Sequence, residues 1–231
     1  SINESWKRIL NYIKKFFIVL GLAILSQIGM AVYGGAKGFS LETGAHKLSL
    51  LAVLILIIFI VGNIYLLMYL GKKLGFLTPS KDFLTKKNII YILVGALIAR
   101  TVGIGGTLLL NATGVTQTAN DEAIGQLFTG ENPLLIILLI GIAAPIMEEI
   151  VFRGGIVGYL FKDLPVVGII VSSVLFGLMH SPTNIISFLI YGLIGLTCAI
   201  AYFKTRRLEV SIAIHFLNNI LPALVLAFGI S

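Results

Sequence analysis

PIMEEIVFRGG, residues 145–155, sets two glutamates and an arginine inside a run that is otherwise apolar. At mid-bilayer a carboxylate costs about 2.5–3.5 kcal/mol on insertion scales, so each glutamate needs a partner or water. On a helix Glu149 and Arg153 stand four residues apart on one face and can pair. Glu148, turned about 100° away, is left for something else. Its face is made by Gly141, Ala144, Pro145, Phe152 and Gly155, mostly small residues that let another backbone or a substrate approach closely. Pro145 removes the helical bond to the Gly141 carbonyl and predicts a kink there.

The rest of the chain makes the membrane setting plain. Of 231 residues, 58% are hydrophobic and only 12% charged, with a mean hydropathy of +1.02, where soluble domains carry about 25% charged residues. At about 20 residues per span, the length holds about seven spans in a single membrane domain, residues 1–231. Apolar runs place them near 16–36, 48–70, 88–110, 133–161, 165–180, 183–203 and 208–230. The expected fold is therefore all-α: a polytopic membrane bundle of about seven to eight helices enclosing a polar active-site cavity, with the motif-bearing core at about 133–230.

Charge orients the chain. With the N-terminus in the cytoplasm, thirteen of the 17 Lys and Arg residues fall in inner segments and only Lys37 and Lys47 in outer ones, while Arg100 and Arg153 lie within spans. That asymmetry obeys the positive-inside rule. It predicts a multi-pass cell-membrane protein with the lipid bilayer as its main solvent, and it accounts for the net charge of +7 without nucleic acid. The opening SINESWKRILNYIKKFF has no A-x-A-like cleavage site and reads as a basic, amphipathic interfacial lead-in. Cys198 is the only cysteine, so no internal disulfide forms.

Two further apolar runs carry polar pairs. In SSVLFGLMHSPTN, His180 follows Phe176 by four residues, with Ser173 about a turn earlier on the same face. In SIAIHFLNNILP, His215 and Asn219 are again four apart. A glutamate that takes a proton, a histidine that shares one and a His/Asn pair that donates hydrogen bonds are the parts needed to hydrolyse an amide with water. Each part also has a plainer reading. A Glu–Arg pair locks helices together, and a lone membrane His or Asn is interhelical glue. Arg100 either pairs with a carboxylate or lies near an interface. The G-x-S-x-G and H-E-x-x-H patterns are missing, which argues against a serine hydrolase and the commonest zinc protease. No cofactor and no metal is expected, although two His and two Glu leave a metal site in space open.

In order, EEIVFR (148–153), FGLMH (176–180) and HFLNN (215–219) resemble the EExxxR, FxxxH and HxxxN motifs of the CPBP family, the CAAX protease and bacteriocin-processing membrane proteins also called Abi. The resemblance implies an intramembrane glutamate-dependent endopeptidase. It makes Glu148 the general base, His180 its aid in positioning or deprotonating water, and His215 and Asn219 the oxyanion donors, with Glu149, Arg153 and Phe176 in support. It also implies a membrane-associated peptide or protein substrate, lipid-modified or not, and bacterial roles in bacteriocin self-immunity, peptide maturation or signal processing. At KTRRLEVSIAIH (204–215) the chain departs from the family's habit of a glycine-containing turn and a proline ahead of the last histidine. Two other classes stay open: a non-catalytic immunity or scaffold protein, and a proton-coupled carrier relaying through Glu148. The carrier ranks last, because the span interrupted at Pro145 has no counterpart in a matching half.

Overall fold

The computed structural model describes residues 1–229, so the predicted end of the last span at Ile230 lies outside the described residues. Among the described residues the chain folds into eight helices of two turns or more: α1 (Ile2–Glu42), α2 (Leu50–Leu74), α3 (Lys86–Ala112), α4 (Ala119–Phe128), α5 (Pro133–Leu160), α6 (Pro165–Met179), α7 (Ile185–Thr205) and α8 (Leu208–Phe228). Six are long and apolar enough to cross a membrane. The run at 165–180, expected as a seventh, is not among them, because α6 has only 15 residues. It rises about 22 Å, short of the ~30 Å hydrocarbon core. Short α4, in the polar stretch before α5, has no counterpart among the expected spans. The lead-in and the first span form one 41-residue helix, α1, in which Lys15 Nζ reaches the Tyr159 carbonyl at 3.3 Å near the end of α5.

α5 is the central helix: 56% of its most apolar window is buried, against 11% for α3. It packs against α1, α2, α6 and α8, while α7 lies between α6 and α3. Its start is encoded locally. The Asn132 side chain accepts from the Leu134 N–H at 2.9 Å, and Pro133 takes the first helical position, where its missing N–H is not needed.

Within α5 the backbone widens to a π-helical register over Ile137–Ala143 and again over Ile150–Leu160, flanking the α-helical turn Ala144–Glu149. Such π segments concentrate at functional sites. Here the Ala144 N–H reaches back five residues to the Leu139 carbonyl. In that register the next carbonyl, Ile140, falls to the nitrogen of Pro145, which has no hydrogen. Asn219 Nδ2 donates to it instead, at 3.1 Å. The carbonyl that a side chain must satisfy is thus that of Ile140, where the α-helical argument places the loss at Gly141.

A second proline repeats the device. Pro222, inside α8, deprives the Asn218 carbonyl of its helical donor, and Arg100 Nη2 of α3 donates to it at 2.5 Å. Arg100 therefore pairs with a backbone oxygen, in place of the expected carboxylate partner. A buried acceptor left unpaired costs roughly 1–3 kcal/mol. Arg100→Met is accordingly expected to lower unfolding free energy by about that much, and far less when Pro222→Ala has restored an N–H. Equal losses in the two backgrounds, measured by denaturant unfolding in micelles, would refute the pairing.

Lys37, expected among the outer charges, is buried in α1. Its Nζ stands 3.0 Å from Glu131 Oε2 and also donates to the His46 carbonyl. The Leu48 N–H at 3.1 Å and Tyr33 Oη at 3.2 Å hold the same carboxylate. Burial alone would raise the Glu131 pKa, but the Asn132 and Leu48 N–H groups and Lys37 outweigh it and hold the carboxyl below its ordinary range. A depressed carboxyl contributes stability above its unfolded pKa and loses it as pH falls through the folded value. On acidification from neutrality, wild type should therefore lose melting temperature more steeply than Glu131→Gln. Parallel curves would rule out this linkage.

Candidate active site

The two adjacent glutamates of α5 occupy different environments. Glu149 is fully buried, at 0% exposure, as is Arg153. Its Oε1 lies 3.0 Å from Arg153 Nε, and its Oε2 lies 2.8 Å from His215 Nδ1 of α8. Arg153 Nη1 donates to Ser172 Oγ at 3.2 Å, and that hydroxyl donates to the Phe152 carbonyl at 2.8 Å. Glu148 is half-buried, has no hydrogen-bond partner among the described residues, and sits within electrostatic reach of His215, Glu149 and Arg153.

The three motifs converge on one ring. Phe176 lies edge-on to Phe152, with centroids 5.5 Å apart, and to His215 at 5.7 Å, and it touches His180 at 4.8 Å. The Arg153 guanidinium stands 4.5 Å over its face, a cation–π contact. Gly195 of α7 makes the space: a Cβ there would lie 2.8 Å from Phe176 Cδ1.

Geometry also fixes the tautomers. His180 Nδ1 is 2.7 Å from the Phe176 carbonyl. A carbonyl only accepts, so Nδ1 carries the hydrogen, and a neutral ring presents Nε2 as a free acceptor. By the same reasoning the Glu149 carboxylate fixes hydrogen on His215 Nδ1. Asn219 spends one amide hydrogen on Ile140 and keeps the other. His180 ends α6 because Ser181 turns left-handed, at φ 49°, ahead of Pro182.

A model of the family described as "Type II CAAX prenyl endopeptidase Rce1-like" matches residues 130–221, which hold all three motifs. YdiL, a candidate membrane peptidase of Bacillus subtilis (strain 168), is 30% identical over 221 residues, covering 94% of this chain and 86% of YdiL. The chain belongs to the Rce1-like CAAX endopeptidase family. MroQ of Staphylococcus aureus (strain USA300), a membrane-embedded CAAX protease, is 35% identical over 92 residues, 37% of this chain and 36% of MroQ. The UPF0177 protein YvdC of Lactococcus lactis subsp. lactis (strain IL1403) is 31% identical over 103 residues, 45% of this chain and 39% of YvdC. For these two the matched part is well under two thirds of the relative's length. No solved structure matches the chain.

In this Rce1-like chain, then, Glu149, Arg153, Phe176, His180 and His215 meet in one cluster, with Glu148 beside Glu149 and Asn219 one turn beyond His215. Ser173 does not join them: its hydroxyl bonds the Ile169 carbonyl of its own helix at 2.7 Å. Ser172 takes the place, and its i, i+4, i+8 spacing with Phe176 and His180 is the signal that points to it. Tyr191, stacked on His180 with centroids 4.1 Å apart, has no such signal. An apolar cavity of about 350 Å³ abuts Pro145 and Ile146 of α5 and Phe216 of α8, and Glu148, His180, His215 and Asn219 are not among its lining residues. Among the described residues no three His, Cys, Asp or Glu side chains are grouped to hold a metal ion.

Proposed function

We propose that this family member is an intramembrane endopeptidase in which Glu148 activates water to cut a membrane-associated peptide or protein. One observation carries the reading. Of two neighbouring carboxylates, Glu149 is locked by Arg153 and His215, while Glu148 is partly exposed and has no hydrogen-bond partner among the described residues. Paired acids held in unlike environments take unlike roles.

The reaction follows from the donors and acceptors available. Glu148 takes a proton from water, whose second hydrogen bond goes to His180 Nε2, and the hydroxide oxygen attacks the scissile carbonyl carbon. Negative charge on the former carbonyl oxygen is met by the remaining Asn219 N–H and by His215 Nε2. His215 donates from Nε2 only when both ring nitrogens carry hydrogen, and Glu149 then offsets the imidazolium charge. As the C–N bond breaks, protonated Glu148 returns its proton to the departing amine. The site would act within a bacterial cell membrane, with the N-terminus cytoplasmic, in self-immunity, peptide maturation or signal processing.

Cleavage of fluorogenic peptides, prenylated and unprenylated, by the purified protein in micelles tests this. Chelator-resistant cleavage supports it and begins to define the substrate, whereas chelator-sensitive cleavage points to a metal. A second reading, a non-catalytic immunity or scaffold protein, draws on the fully buried Glu149–Arg153–Ser172 network that braces α5 against α6. Absence of cleavage across the panel would favour it.

A further inference from the structure

His180 makes a single hydrogen bond to its own helix, from Nδ1 to the Phe176 carbonyl. Beyond it the chain leaves the helix at Ser181, so no further turn of α6 fixes the imidazole plane. That plane is bounded by two rings. Phe176 meets it at 59°, while Tyr191 of α7 stacks on it at 4.1 Å between centroids and 5° between planes.

The phenol is anchored at its far end. Tyr191 Oη lies 2.7 Å from Thr118 Oγ1, 3.4 Å from Asp121 Oδ1 and 3.5 Å from Asn120 Nδ2. Thr118 is itself buried and caps α4, accepting from the Asp121 N–H at 3.1 Å. The tyrosine therefore bridges α4 and the imidazole.

We infer that Tyr191 is a positioning residue that sets the plane of His180, and that α4 sets Tyr191 through Thr118. This rests on the peptidase reading only for its catalytic consequence: Nε2 can accept from a water shared with Glu148 only while the ring is held in one plane. Misplacement of a reacting group by about 1 Å can cost as much as 10²-fold in rate. Tyr191→Leu, which removes the stack, is expected to lower kcat by roughly 10- to 100-fold with little change in KM. Tyr191→Phe keeps the stack and cuts only the tether, while Thr118→Ala keeps the stack but removes both the tether and the cap of α4; each should show a smaller fall of the same kind.

The test pairs kinetics with histidine-selective NMR of the full chain in nanodiscs. In wild type the His180 ring protons should be displaced upfield by the tyrosine ring current. Tyr191→Leu should abolish that displacement while the His46 signals stay in place, and the two tether variants should move the His180 signals part of the way. His180 signals unchanged in Tyr191→Leu would overturn the positioning role, and unchanged signals in both tether variants would overturn the part assigned to α4. The NMR arm needs no cleavage, so a protein that cuts no peptide would sink the peptidase reading while leaving this inference to be decided by the spectra.

Discussion

Glu148→Gln is expected to lower the turnover of any peptide the wild type cleaves by at least ~10²-fold, the lower bound for removing a general base. An amide has the size of the acid but cannot take a proton from water. The same variant should keep its stability within about 1 kcal/mol, because no protein hydrogen bond among the described residues depends on the Glu148 carboxylate. Glu149→Gln should instead lose stability, since it cuts into a carboxylate held by both Arg153 and His215, and lose turnover as well, since the His215 imidazolium then lacks its counter-charge. Parallel measurements of kcat and unfolding free energy separate the two. Retained turnover in Glu148→Gln would remove Glu148 from the mechanism, and turnover lost together with the fold would assign it to structure.

Arg153→Met carries the largest expected effect on stability. It leaves a carboxylate with 0% exposure holding only the His215 Nδ1 donor, and breaking a buried ion pair from one side costs about 3–5 kcal/mol. It also strips the cation from the Phe176 ring and the Nη1 donor from Ser172. Pairing it with Glu149→Gln should recover part of the loss, since the unpaired charge then disappears. Chemical unfolding in micelles gives the comparison. An Arg153→Met single variant as stable as wild type would show that the pair does not brace α5.

Much of this architecture is legible in the order of the residues. A helix has a fixed period, so Glu149 and Arg153, four residues apart, are bound to share a face, and they pair at 3.0 Å. Lipid demands apolar length, so the runs mark their helices. Where the sequence misleads, the cause is again physical. The 165–180 run is apolar throughout but ends in Ser181–Pro182, which stops α6 too short to span. Lys37 looks like a loop charge because nothing local reveals Glu131, which lies 94 residues away in the chain. The neighbouring serines 172 and 173 differ by one step in rotation; the 172/176/180 spacing favours Ser172, and the packing of α6 on α5 brings it to Arg153 while Ser173 bonds its own helix.

That the chain is an all-helical membrane protein, and that its three polar motifs sit on separate helices, is readable from the order of the residues alone. Both follow from composition and period, which act within one segment at a time. Helical period already sets Glu148 apart from the Glu149–Arg153 pair, and the packing of α8 on α5 adds what occupies the second oxygen of Glu149. His215, 66 residues on, turns its Nδ1 toward it. Likewise the carbonyls released by Pro145 and Pro222 found donors in Asn219 and Arg100 on other helices. A helical period says which residues share a face. What that face meets depends on how each helix is rotated and packed against its neighbours, and that is settled by all the contacts of the bundle together.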